Sequence, residues 1–181
     1  MKIIVISDIH GSNFYMNKMK DRINIENPDK IILLGDLYYH GPRNPLTKDY
    51  NPQEVAKTLN SLKDKIIAVR GNCDAEVDQM ISEFKIQENY ISLNLNGKKF
   101  IFTHGHKFNI DSLPDEEFDV LVYGHFHTGF IKEKDGKIFV NSGSISLPKN
   151  NTKNSYLIID DNNIYLEDIE GNVIDKIEYI K

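Results

Sequence analysis

Apolar residues fall in short, β-branched runs over residues 2–7, 30–34, 65–69, 99–103 and 119–123. Runs of this length, bounded by glycine, asparagine and aspartate, predict buried strands rather than helices. Helical spacing lies between the first three. Ser12 is placed to cap a helix turning Phe14, Met16, Met19 and Ile23 inward, and Pro28 stops its next turn. Pro52 suits the first turn of a helix presenting Val55, Leu59 and Leu62. Asp74 is placed to cap a third, with Val77, Met80 and Ile81 as its apolar face. This β-α-β-α-β opening predicts a parallel sheet covered by helices.

Beyond residue 85 the period shortens. Segments 90–95 and 98–103, joined at Asn96-Gly97, carry the strongest hairpin signal, and 132–140 turns likewise at Asp135-Gly136. Segment 156–167 makes a third hairpin around Asn162-Asn163. The second half therefore reads as a mostly antiparallel sheet, and two sheets face to face with helices outside give a layered α/β sandwich. No composition shift or repeat divides the chain, so residues 1–181 read as one domain.

Composition narrows the class. With 40% hydrophobic and 27% charged residues, the chain is ordinary for a soluble globular protein. No apolar run approaches the ~20 residues of a membrane span. One cysteine, Cys73, excludes an internal disulfide, and a cytoplasmic location is the plain expectation. A net charge of −5 offers no basic face for stable nucleic-acid binding. It does not exclude a phosphate ester, because bound cations reverse the local field.

Candidate chemistry sits directly after the apolar runs. The five runs lead into Asp8-Ile9-His10, Gly35-Asp36, Arg70-Gly71-Asn72-Cys73-Asp74, His104-Gly105-His106 and Gly124-His125-Phe126-His127. Ligands of open α/β sheets bind at the carboxyl ends of strands, so these groups are expected to meet in one crevice. Five of the six histidines lie in these tripeptides, a clustering that chance spacing does not favour. Carboxylate, imidazole and amide without a thiolate pattern suit manganese, iron, cobalt, nickel or zinc. Side-chain alternation along extended backbone is expected to put Asp8 with His10, and His125 with His127, on one face. Asp36 can bridge two ions through its two oxygens. Seven candidate ligands (Asp8, His10, Asp36, Asn72, His104, His125, His127) exceed what one ion needs and match two.

In this order the motifs resemble the calcineurin-like metallophosphoesterase superfamily. The similarity tightens to its bacterial YfcE-type phosphodiesterases over residues 35–44, 69–74 and 141–149. The resemblance implies a four-layer α/β/β/α sandwich of two mixed sheets flanked by helices. It also implies a first metal held by Asp8, His10 and His127, a second by Asn72, His104 and His125, and Asp36 between them. The implied reaction is in-line attack on a phosphodiester by a hydroxide shared between two divalent ions, manganese preferred. A small phosphate-ester substrate and a homo-oligomer fit the resemblance. Where many members have Gly-Asn-His, this chain has Cys73, and a thiol is a poor proton donor to a leaving group. Asp74 and His106 join the catalytic candidates, while His40, Arg43 and Asn44 are candidates for the substrate, Arg43 through its bidentate fork. Ser142, Gly143 and Ser144 read as a tight turn. Two alternatives stand beside the diesterase: a phosphomonoesterase or nucleotide hydrolase on the same ions, and a Vps29-like protein-binding scaffold.

Overall fold

The computed structural model describes residues 1–86 and 88–180. Strands β1 (Ile3–Ile6), β2 (Lys30–Leu33) and β3 (Ile66–Ala68) pair in parallel, joined by α1 (Asn13–Glu26) and α2 (Pro52–Asn60). A short helix, α3 (Glu76–Ile81), comes after β3. Ser12 caps α1, accepting from Tyr15 N–H, and Asn27 ends it in a left-handed conformation one residue before Pro28. Met16, Met19 and Ile23 are buried beneath α1 as expected, whereas Phe14 is only half-buried, with the Lys48 ammonium 3.6 Å from its ring centre.

The second half supplies β4 (Tyr90–Leu95), β5 (Lys98–Thr103), β6 (Val120–Tyr123), β7 (Phe130–Lys134), β8 (Lys137–Asn141), β9 (Ser155–Ile159), β10 (Asn163–Asp168) and β11 (Val173–Glu178). Asn96 and Gly97 both have positive φ, as do Asp135 and Gly136, which is the backbone that tight hairpins demand. The expected antiparallel second sheet is corrected on two points. The order β4-β5-β6-β8-β7 contains parallel pairs β5/β6 and β6/β8. The third hairpin leaves that sheet altogether: β9 pairs antiparallel with β1, giving β11-β10-β9-β1-β2-β3. Both sheets are mixed. Strand β11 carries no clear apolar alternation in the sequence because its side chains are mostly exposed at a sheet edge.

One core lies between α1, α2 and the first sheet, built on Ile4, Ile6, Met19, Val55 and Leu59. A second fills the space between the sheets, where Ile3, Val5, Ile32 and Leu34 meet Phe100, Phe102, Val120 and Val122. Each fully buried side chain of this kind contributes roughly 1.5–3 kcal/mol relative to exposure. On the outer face of the second sheet, Ile101, Leu121, Tyr123 and Phe139 are covered by Ile110 and Phe118. The segment bearing these two residues is irregular, not helical, so among the described residues helices flank the first sheet alone.

The third helix departs most from expectation. Its N-cap is Ala75 rather than Asp74, and Val77, Met80 and Ile81 are exposed by 58%, 84% and 43%. Its anchor is polar instead: Asp78 accepts from Ala75 N–H, and Gln79 ties the helix to Phe84 and Ile86.

Candidate metal centre

The candidate ligands stand at one end of both sheets, on loops whose backbones continue the strand pairing. Asp8 N–H donates to Gly35 O (3.1 Å), His10 N–H to Asp36 O (2.9 Å) and Gly124 N–H to His104 O (2.9 Å). Two glycines permit this closeness. A Cβ on Gly71 would stand 2.2 Å from Asp36 Oδ1, and one on Gly124 would stand 1.9 Å from Ser7 Oγ.

The expectation of extended Asp-x-His and His-x-His segments is corrected. Asp8, His10, Asp36, His125 and His127 all have positive φ, between 48° and 64°. Left-handed backbone costs a non-glycine residue on the order of 1–3 kcal/mol and persists only where the surroundings enforce it. Ser144 and Ser146 help enforce it, donating their hydroxyls to Asp8 O at 2.8 and 3.0 Å. Of the expected turn at residues 142–144, Ser144 thus also helps to hold the ligand loop.

Two constellations result. In the first, His10 and His127 donate Nδ1–H to the carbonyls of Tyr39 (2.8 Å) and Leu147 (2.7 Å). A carbonyl can only accept, so in the neutral imidazoles both Nε2 atoms carry bare lone pairs, and they face each other at 3.2 Å. Asp8 Oδ2 accepts from Ser7 Oγ (2.7 Å) and His125 N–H (2.9 Å). Its Oδ1 is buried without a hydrogen-bond donor, 3.2 Å from His127 Nε2 and 3.6 Å from His10 Nε2. Three electron-pair donors thus converge with nothing from the protein to satisfy them, an arrangement that fits a cation. In the second, His104 donates Nδ1–H to Leu34 O (2.7 Å), and its Nε2 lies 2.9 Å from Asn72 Oδ1 and 3.2 Å from His125 Nδ1. The two histidines of the His125-x-His127 motif therefore serve different constellations.

Asp36 lies between them, with Oδ2 3.7 Å from His10 Nε2 and Oδ1 3.5 Å from His104 Nε2. Burial by itself would raise the Asp8 and Asp36 carboxyls. The imidazoles beside them win, holding Asp8 well below the usual carboxylate range and Asp36 below it. Burial would likewise lower His104, but Asp36 and Asp8 push it up to about 9. These are the marks of a charge cluster organised for positive charge at its centre.

The remaining candidates divide. Asp74 is buried and accepts backbone N–H groups from Asp36, Leu37 and Gly71 at 2.7–2.8 Å. Burial pushes its carboxyl up, but three N–H donors favour the anion, so we take it to orient the Asp36 and Asn72 loops. Cys73 is half-buried, its N–H donating to Asp36 Oδ1 (2.8 Å), and its Sγ falls close enough to His10 and Asp36 to share an ion with them. Burial and then Asp36 push its thiol up to about 12, so it is protonated at neutral pH. His106 is exposed, with ring centres 5.3 Å from His104 and 6.1 Å from His125, and burial followed by those neighbours lowers it to about 4. Arg43 and Asn44 line the open groove over Asp36, Asn72, Cys73, His125 and His127. His40 does not line it; its ring packs against Tyr39 and Tyr50. The groove adds Tyr39 and Lys149, which lie in the segments 35–44 and 141–149 that carry the family resemblance. Lys149 lies two residues past the Leu147 carbonyl that fixes His127, and its N–H bonds His127 O at 2.9 Å.

Residues 1–163 match the model of the calcineurin-like phosphoesterase superfamily domain. The chain belongs to this superfamily. It is 42% identical over 162 residues to phosphodiesterase YfcE of Escherichia coli K12, covering 88% of each chain. Phosphodiesterase MJ0936 of Methanocaldococcus jannaschii is 29% identical, over 79% of this chain and 83% of its own. The solved structure of E. coli Yfce superposes with a TM-score of 0.96 and 35% identity over 99% of this chain and 100% of that one. Vps29 of Chaetomium thermophilum superposes at 0.68 with 19% identity, over 100% and 99%, a likeness of fold alone. The protein is a metallophosphoesterase, and its site residues are able to hold divalent ions. Among the described residues no helix is long and apolar enough to cross a membrane.

Proposed function

We propose that the chain is a cytoplasmic phosphodiesterase acting on a small phosphate ester at a two-ion, manganese-preferring centre, and that residues 1–181 work as one domain. The observation that carries the reading is the position of Asp36, whose two oxygens reach separate imidazole constellations 3.5 and 3.7 Å away. Asp8, His10 and His127 would hold one ion, Asn72, His104 and His125 the other, with Asp36 common to both. Bound there, a pair of divalent ions supplies Lewis acidity, an activated water and neutralising charge on phosphoryl oxygens.

The chain's own residues do the rest. Arg43 and Asn44 border the groove and orient the non-bridging oxygens, Arg43 as a fork of charged donors. Asp74 fixes the backbone of Asp36 and Gly71, which sets where Asn72 stands. Cys73 occupies the position from which a histidine would protonate the leaving group. Its protonated thiol is a poor substitute, so substrates whose leaving oxygen departs unaided are preferred. The names of the two phosphodiesterase relatives point the same way. The test is metal analysis of manganese-reconstituted protein together with turnover of an aryl phosphodiester. About two ions per chain and diesterase activity are expected. A plateau at one ion, or cleavage of monoesters in preference to diesters, defeats the reading.

A further inference from the structure

A second hollow adjoins the groove. It is bordered by Arg70, Asn72, Asn89, His106 and Lys107, while the groove is bordered by Asp36, Tyr39, Arg43, Asn72 and Lys149. Asn72 lines both, so its exposed amide stands between two depressions. The hollow reaches the ion centre through the imidazoles: His106, on its wall, is one ring contact from His104 and His125.

Charge bears on the hollow through how its cations are held. The protein is acidic, and several of its lysines pair with carboxylates, as in Lys2–Glu26, Lys63–Glu83, Lys99–Glu116 and Lys153–Asp168. Among the described residues, none of the four cations beside the two depressions has such a partner. Arg70 donates Nε–H to the Asp74 carbonyl, and Lys107 donates to the neutral Asn89 amide at 2.7 Å. Asp74 also lines the hollow, but it is buried and its carboxylate is spent on three backbone N–H groups. Two cations held by neutral acceptors keep their full charge for an incoming anion, and a phosphate group offers the acceptors they lack.

We propose that the Arg70–Lys107 hollow binds a second phosphate group, carried on one ester arm of the substrate, while the scissile phosphorus sits over the ion centre and the other arm lies along the Arg43–Lys149 groove. The inference rests on the phosphodiesterase reading and narrows it to diesters that bear a further phosphate.

The test compares two nucleoside 5′-(p-nitrophenyl) phosphodiesters, one with a free 3′-hydroxyl and one with a 3′-phosphate, on the manganese-loaded protein. The phosphorylated ester is expected to show a kcat/KM about tenfold higher at low salt, which corresponds to about 1.4 kcal/mol. The advantage should shrink as salt rises, because exposed charges are screened. Lys107→Gln should bring the ratio to about one while leaving the rate on the 3′-hydroxyl ester within about twofold, and Lys107→Arg should restore the preference. The rate on the 3′-hydroxyl ester reports the diesterase reading by itself, and the ratio reports the second phosphate. Should neither ester turn over, titration with a nucleoside 3′,5′-bisphosphate against the 5′-monophosphate decides in the same terms. A wild-type ratio near one, or a preference that survives Lys107→Gln, overturns the proposal.

Discussion

At the scale of the residue, the centre works by what each ligand atom is left without. Asp8 spends one oxygen on Ser7 and the His125 amide and leaves the other bare. Three imidazoles donate Nδ1–H to carbonyls and so turn Nε2 toward the centre. Asp36 turns one oxygen toward each constellation, so Asp36→Asn, which keeps shape and removes charge, should be at least as damaging as any other ligand substitution. A loss of at least about 10²-fold in turnover is expected, as for a group that organises charge in the transition state, with ion content falling as well. Near-normal turnover and ion content in Asp36→Asn would end the bridging assignment. Cys73 permits a finer test. General-acid help is worth about 10²–10⁴-fold where the leaving group needs it, so aryl diesters should outpace alkyl diesters, and Cys73→His should narrow the gap. Parallel plots of log rate against leaving-group pKa in the two proteins, at equal ion content, would make Cys73 a packing residue.

At the scale of the element, the ligand loops are held by close approach more than by side-chain packing. The Gly124 backbone passes so near Ser7 and Asp8 that a methyl there has no room. Gly124→Ala should therefore cost about 1–3 kcal/mol by overpacking and displace Asp8 and His125 together. Gly97, in the β4–β5 hairpin, has positive φ but open space around it, so Gly97→Ala should cost only about 1–2 kcal/mol of backbone strain and leave ion binding untouched. Denaturant unfolding with metal titration separates the two. Equal loss of ion affinity in both variants would show that the loop contact at Gly124 is not what places the ligands. The α3 helix shows the limit of pattern reading at this scale: its apolar residues mimic a core face, yet Asp78 and Gln79 do the anchoring.

At the scale of the whole molecule, the charge cluster links stability to pH and metal. In metal-free protein, His104 sits at about 9 against an ordinary 6.5, so the folded state holds its proton more tightly than the unfolded chain. That contribution is fully present below pH 6.5 and is lost as pH rises through about 9. A divalent ion held by His104 would need the imidazole without that proton, so ion binding would be linked to proton release. The Tm of chelator-treated protein should therefore fall between about pH 6.5 and 9, while the manganese-loaded protein stays higher and flatter over the same interval. A flat profile for the chelated protein would show that the His104–Asp36 pair does not couple to folding.

Local chemistry is written in the sequence. The β-branched runs, the Asn96-Gly97 and Asp135-Gly136 turns, the Ser12 cap and the ligand types after five strands could all be read directly, because each depends on neighbours a few residues away. The ordering of ligand motifs also carried the superfamily and its two-sheet architecture. Tertiary structure alone decided that β9 crosses to pair with β1, a register between segments more than 150 residues apart that no local pattern encodes. It alone imposed left-handed backbone on Asp8, His10, Asp36, His125 and His127, since only surrounding contacts hold a strained conformation that each residue by itself avoids. And it alone sent His125 and His127 to opposite sides of Asp36, because that strain, not strand alternation, sets where adjacent ligands point.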